Sequence, residues 1–177
     1  STSSFGDSFS LKSKGNADIF VWHIDPFNPC VPGWTYIEDG CFIYFAQTSI
    51  VEVEAEATCV SYGGHLASIH SETQNTAVRH LHSSGNVLIG LYYNSSENNF
   101  EWMDGSEVIY TTWDTSANEP TNNPNEIYVH YFSGKDKWFN CDVGCGNLIS
   151  GFICKTTSNL DSLFSEKAIG QPTAVPS

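Results

Sequence analysis

The sequence predicts a single α+β domain. Three observations lead there. Two helical stretches follow one another before residue 86, and everything after them reads as short strands separated by polar loops. Six cysteines, an even number with neither C-x-x-C spacing nor a His pair at zinc-finger distance, point to three disulfides and an oxidising compartment. The composition agrees: 40% hydrophobic and 14% aromatic is globular, and five Trp, eight Tyr and eleven Phe against one Met favour a β-rich, aromatic-packed interior.

In chain order, residues 1–17 are rich in Ser, Gly and Lys and read as an arm. Asp18–Phe27, "DIFVWHIDPF", is an apolar, β-branched and aromatic run halted by Pro26, an extra strand that either packs on its own domain or recruits a partner chain. "CVPGWTYIEDGCFIYF" alternates apolar and polar residues around the turn signal Glu38-Asp39-Gly40 and reads as a hairpin with Cys30 and Cys41 at its base. In "SIVEVEAEATCVSYGG", Ser49 and Glu52 form a capping-box pattern. Val53, Ala57 and Val60 recur at helical spacing as the inner face, Glu52, Glu54 and Glu56 read as the solvated face, and Gly63-Gly64 ends the helix. The second helix, "SETQNTAVRHLHSSG", starts with the box Ser71–Gln74 and turns Ala77, Val78 and Leu81 inward. Strands are expected in "NVLIGLYY", "NFEWMDGS", "EVIYTTW", "NEIYVHYF", "DKWFN" and "GFICK". Residues 156–177 turn Ser/Thr/Pro-rich again. The expected division is therefore 1–27 as N-terminal arm with an extra strand, 28–155 as the domain and 156–177 as C-terminal tail.

Charge narrows the partners. A formal net charge of −13, from 20 acidic residues against 7 Lys and Arg, repels nucleic-acid backbones and anionic lipid surfaces. No run of 18 apolar residues offers a membrane span, and the Ser-rich start has neither charged n-region nor apolar h-region, so a signal peptide is expected to have been removed already. The sequon Asn94-Ser95-Ser96 fits a glycosylated surface loop of a secreted protein. No G-x-S-x-G or phosphate-binding glycine loop occurs, and His80 and His82 point apart on a helix, so a binding module is expected and not an enzyme. The stretch Glu119–Glu126, "EPTNNPNE", cannot pack a core. It is either a solvated loop or an oxygen-rich cradle for a hard cation.

Five blocks in order resemble the C-type lectin-like domain family in its long form, over residues 30–155. They are "AEATCVSYGGHLASIHSETQNTAV", "LIGL" at Leu88–Leu91, "FEWMDGSEVIYTTW" at Phe100–Trp113, Glu119-Pro120, and Trp138 followed by Phe152–Cys154. The resemblance implies a double-loop fold of two helices and two small antiparallel sheets. It also implies disulfides Cys59–Cys154 and Cys30–Cys41, the first closing a loop of about 95 residues with about 4 kcal/mol of stabilisation on the chain-entropy model. The family's remaining partner cysteine, expected near Tyr128, is missing here, and the simplest inference pairs Cys141 with Cys145.

Sugar-binding members hold Ca²⁺ through an E-P-N triplet with a cis proline, a second Glu and a W-N-D motif, and vicinal sugar hydroxyls complete the shell. By that resemblance Glu119 and Glu126 are the acidic ligands. Thr121 stands in place of Asn and offers only a hydroxyl, with Asn122 as the neighbouring substitute. Asn140 and Asp142 stand for the Asn-Asp pair, off register by one. The implied metal set is thus Glu119, Asn122, Glu126, Asn140 and Asp142 around one Ca²⁺, and the implied sugar contacts are Glu119, Thr121, Glu126 and Asn140. Glu at the first position leans toward mannose- or glucose-like hydroxyl pairs. The rival is a calcium-free protein-binding or homo-oligomerising module.

Overall fold

A computed structural model describes residues 29–121, 123–131, 135–142 and 148–157. The Asp18–Phe27 segment, with the extra strand expected there, and the tail beyond Thr157 lie outside the described residues. The described elements are β1 (Thr35–Ile37), β2 (Gly40–Ala46), α1 (Glu52–Ser61), β3 (His65–Leu66), α2 (Glu72–Arg79), β4 (Asn86–Asn94), β5 (Asn99–Trp102), a 3₁₀ turn (Thr115–Ala117), β6 (Tyr128–Tyr131), β7 (Trp138–Cys141) and β8 (Ile149–Thr157).

The α+β class holds, with a difference in the sheets. The strands form one hydrogen-bonded network in the order β1-β2-β8-β4-β6-β7, with β3 on β8 and β5 on β4. Its two ends are joined by a parallel pairing of β4 with β8, which makes the sheet mixed. The period-two alternation of β4 explains how one strand serves two cores. Val87, Ile89 and Leu91 face a cluster with Val78 of α2, Trp102 and Trp138, whereas Leu88 faces one with Ala55 and Cys59 of α1 and Phe152. Gly90 has no substitute in that strand, because a Cβ there would lie 2.3 Å from the Leu66 carbonyl oxygen.

The β1–β2 hairpin turns at Glu38 and Asp39 as expected, with Ile37 opposite Gly40. Its Cys30–Cys41 bond and the long-range Cys59–Cys154 bond are both formed. Cys141 is also disulfide-bonded, while Cys145 lies outside the described residues. The stretch 107–113, expected as a strand, is irregular except for a bridge from Trp113 to Trp138. Its carbonyls and amides are shared with β7, as Trp138 N donates to Thr112 O and Asp114 N to Trp138 O.

The two helices behave differently. At α2 the Ser71 hydroxyl accepts from Gln74 N at 2.9 Å and Val78 is fully buried, as the pattern predicts. At α1 the expectation fails. Ser49 has a left-handed φ of 59° and donates its N–H to Ile149 O, so it cannot cap, and the N-cap is Val51 without a side-chain bond. The buried face is Glu52, Ala55 and Cys59, while Val53 and Val60 are 71% and 51% exposed. The reason is covalent. The bond from Cys59 to Cys154 fixes which side of α1 meets β8, and the Val stripe rotates outward with it. Of the glutamates expected to be solvated, only Glu54 is exposed. Glu56 accepts from Leu66 N at 2.8 Å, and Glu52 is buried with Oε1 unpartnered among the described residues and its carboxyl pushed up by burial.

Candidate metal and ligand site

The long loop between β5 and β6 is moored on an aromatic pier. The indole of Trp138 is edge-on to Trp102, Tyr110, Trp113 and Tyr131, with centroids 5.7 to 6.4 Å apart. Its Nε1–H donates to Asn75 Oδ1 at 3.0 Å, which also accepts from the Tyr131 hydroxyl at 2.6 Å. This rigid point holds β7, and two residues along it stands Asn140.

From the pier the loop reaches Asp114, whose carboxylate accepts from Lys135 Nζ at 2.6 Å and from Ser116 Oγ at 2.5 Å. The 3₁₀ turn follows. Asn118 takes a left-handed φ of 61°, and Glu119 N donates back to Asp114 O at 3.2 Å. The Glu119–Pro120 peptide is cis, as the E-P motif implies.

Asn140 joins the parts. Its backbone N–H donates to Glu119 Oε2 at 3.2 Å, and its Oδ1 accepts from Thr121 N at 2.8 Å. Its Nδ2 donates to Thr121 Oγ1 at 3.2 Å and to Glu126 O at 3.0 Å. The Thr121 hydroxyl donates in turn to Glu126 Oε2, and Asn123 Nδ2 to Glu126 Oε1 at 3.0 Å. Four of the residues singled out from sequence, Glu119, Thr121, Glu126 and Asn140, therefore meet in one network. Asp142 follows β7 with its side chain exposed, and Asn122 lies outside the described residues.

Two consequences follow for chemistry. First, Asn140 is only 3% exposed and its amide is engaged on both sides, so in this arrangement it braces the loop from behind. Second, among the described residues the groups gathered here that could hold a cation are the carboxylates of Glu119 and Glu126 and the Thr121 oxygen, a hard donor set that fits Ca²⁺ and not a soft metal. Burial pushes the Glu119 carboxyl up. The N–H groups of Asn140 and Thr121 pull against it, and the charges of Glu126 and Asp114 add to the rise. A cation between Glu119 and Glu126 would relieve that repulsion. Among the described residues no three His, Cys, Asp or Glu side chains gather as a ready metal cluster, so waters or ligand hydroxyls would have to supply the remaining oxygens.

Asn94 lies at the β4–β5 turn. Its Oδ1 accepts from Ser96 N at 3.0 Å and its Nδ2 donates to Glu101 Oε2 at 3.0 Å. What sequence reasoning missed is a second polar cluster, Ser68, His70, Asp104 and Lys155, on another part of the domain. Its one visible signal was a Lys ending the apolar strand "GFICK".

The family model described as "Lectin C-type domain" matches residues 51–156. The chain belongs to the C-type lectin domain family. An alpha-N-acetylgalactosamine-specific lectin of Patiria pectinifera is 33% identical over 140 residues, covering 72% of this chain and 80% of that protein. Among solved structures, the C-type lectin CEL-I from Cucumaria echinata superposes with a TM-score of 0.62 at 28% identity, covering 75% of this chain and 100% of that one. A calcium-independent type II antifreeze protein gives a TM-score of 0.64 at 29% identity, covering 72% and 94%. The C-type lectin domain fold thus carries sugar-binding and antifreeze relatives alike, and the side chains of the long loop must discriminate between such uses.

Proposed function

We propose that this domain is a secreted carbohydrate-binding module, not an enzyme, that takes sugar hydroxyls and one Ca²⁺ at the Glu119–Glu126 loop. The observation that carries this reading is the pairing of Glu119 and Glu126 across Asn140 and Thr121, with no cation beside Glu119 among the described residues. Glu119 and Glu126 would hold the ion, with Asn122 and Asp142 as the further oxygens the sequence offers. Bound there, Ca²⁺ would supply positive charge and open coordination positions for vicinal hydroxyls. Asn140 braces Glu119 and the Glu126 backbone, and Thr121 Oγ1, whose proton goes to Glu126, offers a remaining lone pair to a sugar hydroxyl. The acidic relief makes the site selective for neutral or cationic ligands over anions.

Thermal melting of the full chain tests the reading. Millimolar Ca²⁺ should raise Tm in the parent, by about 2.7 kcal/mol of stability when the ion is at a hundredfold its Kd, and Glu126→Gln should shrink the shift. Retention on mannose or galactose resin, released by chelator, then identifies the sugar class. No Ca²⁺ shift in the parent ends the calcium reading.

One observation favours a second reading, a calcium-free module that binds protein partners or a second copy. The Thr121 hydroxyl and the Asn140 amide already occupy carboxylate and carbonyl oxygens, so the loop closes on itself by its own hydrogen bonds. That reading expects an unchanged Tm with Ca²⁺.

A further inference from the structure

A cleft of about 470 Å³, lined by none of Glu119, Thr121, Glu126 and Asn140, is formed by Asp39, His65, His70, Asp104 and Lys155 with the backbone at Gly63–Gly64 and Gly105 and the hydroxyls of Ser106, Thr156 and Thr157. Counting its protons shows what it can bind. The Ser68 hydroxyl donates to Asp104 Oδ2 at 2.5 Å and the Ser106 hydroxyl to Asp104 Oδ1 at 2.5 Å. Each hydroxyl has one proton, and both are spent. His70 Nε2 lies 3.2 Å from each of the same two oxygens, so it must carry the hydrogen and donate to them. The other ring nitrogen, Nδ1, is then a lone-pair acceptor, and it has no partner among the described residues. Burial and the Lys155 charge both lower the His70 pKa, although Asp104 and Asp39 oppose them, which keeps that ring neutral.

Most of the remaining donors are committed as well, leaving one Lys155 proton and the Thr157 hydroxyl without an oxygen partner among the described residues. Lys155 is 9% exposed, and its Nζ donates to Ser68 Oγ at 3.3 Å and pairs with Asp39 Oδ1 at 3.5 Å above the Phe42 ring. Gln74 Nε2 donates to Asp39 Oδ1 at 2.8 Å. The N–H groups of Gly63, Gly64 and Gly105 are bonded to Val60, Cys59 and Trp102 carbonyls. The Thr156 hydroxyl donates to Gly63 O at 3.0 Å, and His65 Nδ1 faces Glu56 Oε1 at 2.5 Å, which directs its hydrogen inward.

The lining residues Asp39, with a side chain 62% exposed, His70 and His65 thus bring Asp39 Oδ2, His70 Nδ1 and, in the neutral ring, His65 Nε2 as acceptors. Asp39 and Asp104 against Lys155 leave it net negative. That net charge disfavours an anion, and a ligand rich in N–H with positive charge finds a carboxylate and imidazole acceptors.

We propose that this cleft is a second binding site, independent of calcium, for a protonated primary amine on a small polar molecule. The amine nitrogen donates to Asp39 Oδ2 and to the two imidazole nitrogens, while Lys155 and Ser68 hold Asp39 and Asp104 in place. An amino sugar and a lysine side chain both carry this chemistry.

Backbone NMR titration of the full chain in excess chelator tests the proposal and leaves the calcium reading out of play. Glucosamine and Nα-acetyl-lysine are the probes, and N-acetylglucosamine, which lacks the ammonium, is the control. The amines should move the signals of Gly64, His70 and Gly105 at millimolar concentration, and the stronger of the two assigns the source as sugar or protein. Asp39→Asn, a near-isosteric change in an exposed turn, should weaken binding about tenfold, and His65→Gln, on the opposite wall, by less. Glu126→Gln should leave it unchanged. Shifts as large with N-acetylglucosamine, no shift with either amine, or undiminished binding in both Asp39→Asn and His65→Gln would overturn the proposal.

Discussion

Glu119 in the long loop and Asp104 beneath the cleft are both carboxylates ringed by amides and hydroxyls, yet they titrate in opposite directions. Burial raises both. At Asp104, hydrogen bonds from Ser106 and Ser68, aided by the Lys155 charge, overcome it and hold the group below the ordinary 3.8. At Glu119, two backbone N–H groups fall short, and Glu126 and Asp114 add like charge, so the group rises above 4.5. One assembly is electrostatically complete without a ligand. The other gathers like charge with no cation beside it among the described residues, the difference on which the proposed ion site rests.

Three substitutions would break or sharpen this contrast. The largest effect belongs to Asn140→Ala. It removes a buried amide with at least three side-chain hydrogen bonds and frees the loop, so urea unfolding should report a loss of about 3 kcal/mol together with loss of any Ca²⁺ response. Asp104→Asn comes next. The two serine hydroxyls lose a charged acceptor and Lys155 loses a counter-charge, for a cost of about 1–2 kcal/mol by the same measurement.

The smallest is Glu119→Gln. A raised folded pKa means that the folded state holds extra proton above 4.5, so this group's contribution is fully present below 4.5 and is lost as pH rises through the folded value. Without Ca²⁺, Glu119→Gln should therefore gain less than about 1 kcal/mol at neutral pH. Asp104 runs the other way: its contribution is present above 3.8 and lost as pH falls through its lowered value. Melting the parent and both variants between acid and neutral pH checks both signs. A parent curve that Glu119→Gln leaves unaltered would show that the loop lacks the strain ascribed to it.

The two helices show how far pattern reading reaches. α2 was readable because its cap and its apolar stripe are local: Ser71 meets Gln74 three residues on, and Val78 turns inward with them. The same rules misread α1, where Val53, Ala57 and Val60 have the right spacing but the wrong side. Spacing states that a face exists. Which face is buried depended on Cys59 reaching a cysteine 95 residues away. The stretch 107–113 failed for a related reason, since its β-rich composition is used to sit on Trp138 instead of extending a strand.

The site divides along the same line. Residue identity and order carried the fold class and the family, and through that resemblance implied the disulfide frame of the hairpin and the first helix and grouped Glu119, Thr121, Glu126 and Asn140, which do share one hydrogen-bond network. Tertiary structure alone decided that Asn140 turns its amide inward as a brace, that Glu126 and Asp114 stand close enough to Glu119 to push its carboxyl up, and that Ser68, His70, Asp104 and Lys155 meet at all. Those are matters of distance between segments far apart in the chain, and of which donor is already spent when a ligand arrives.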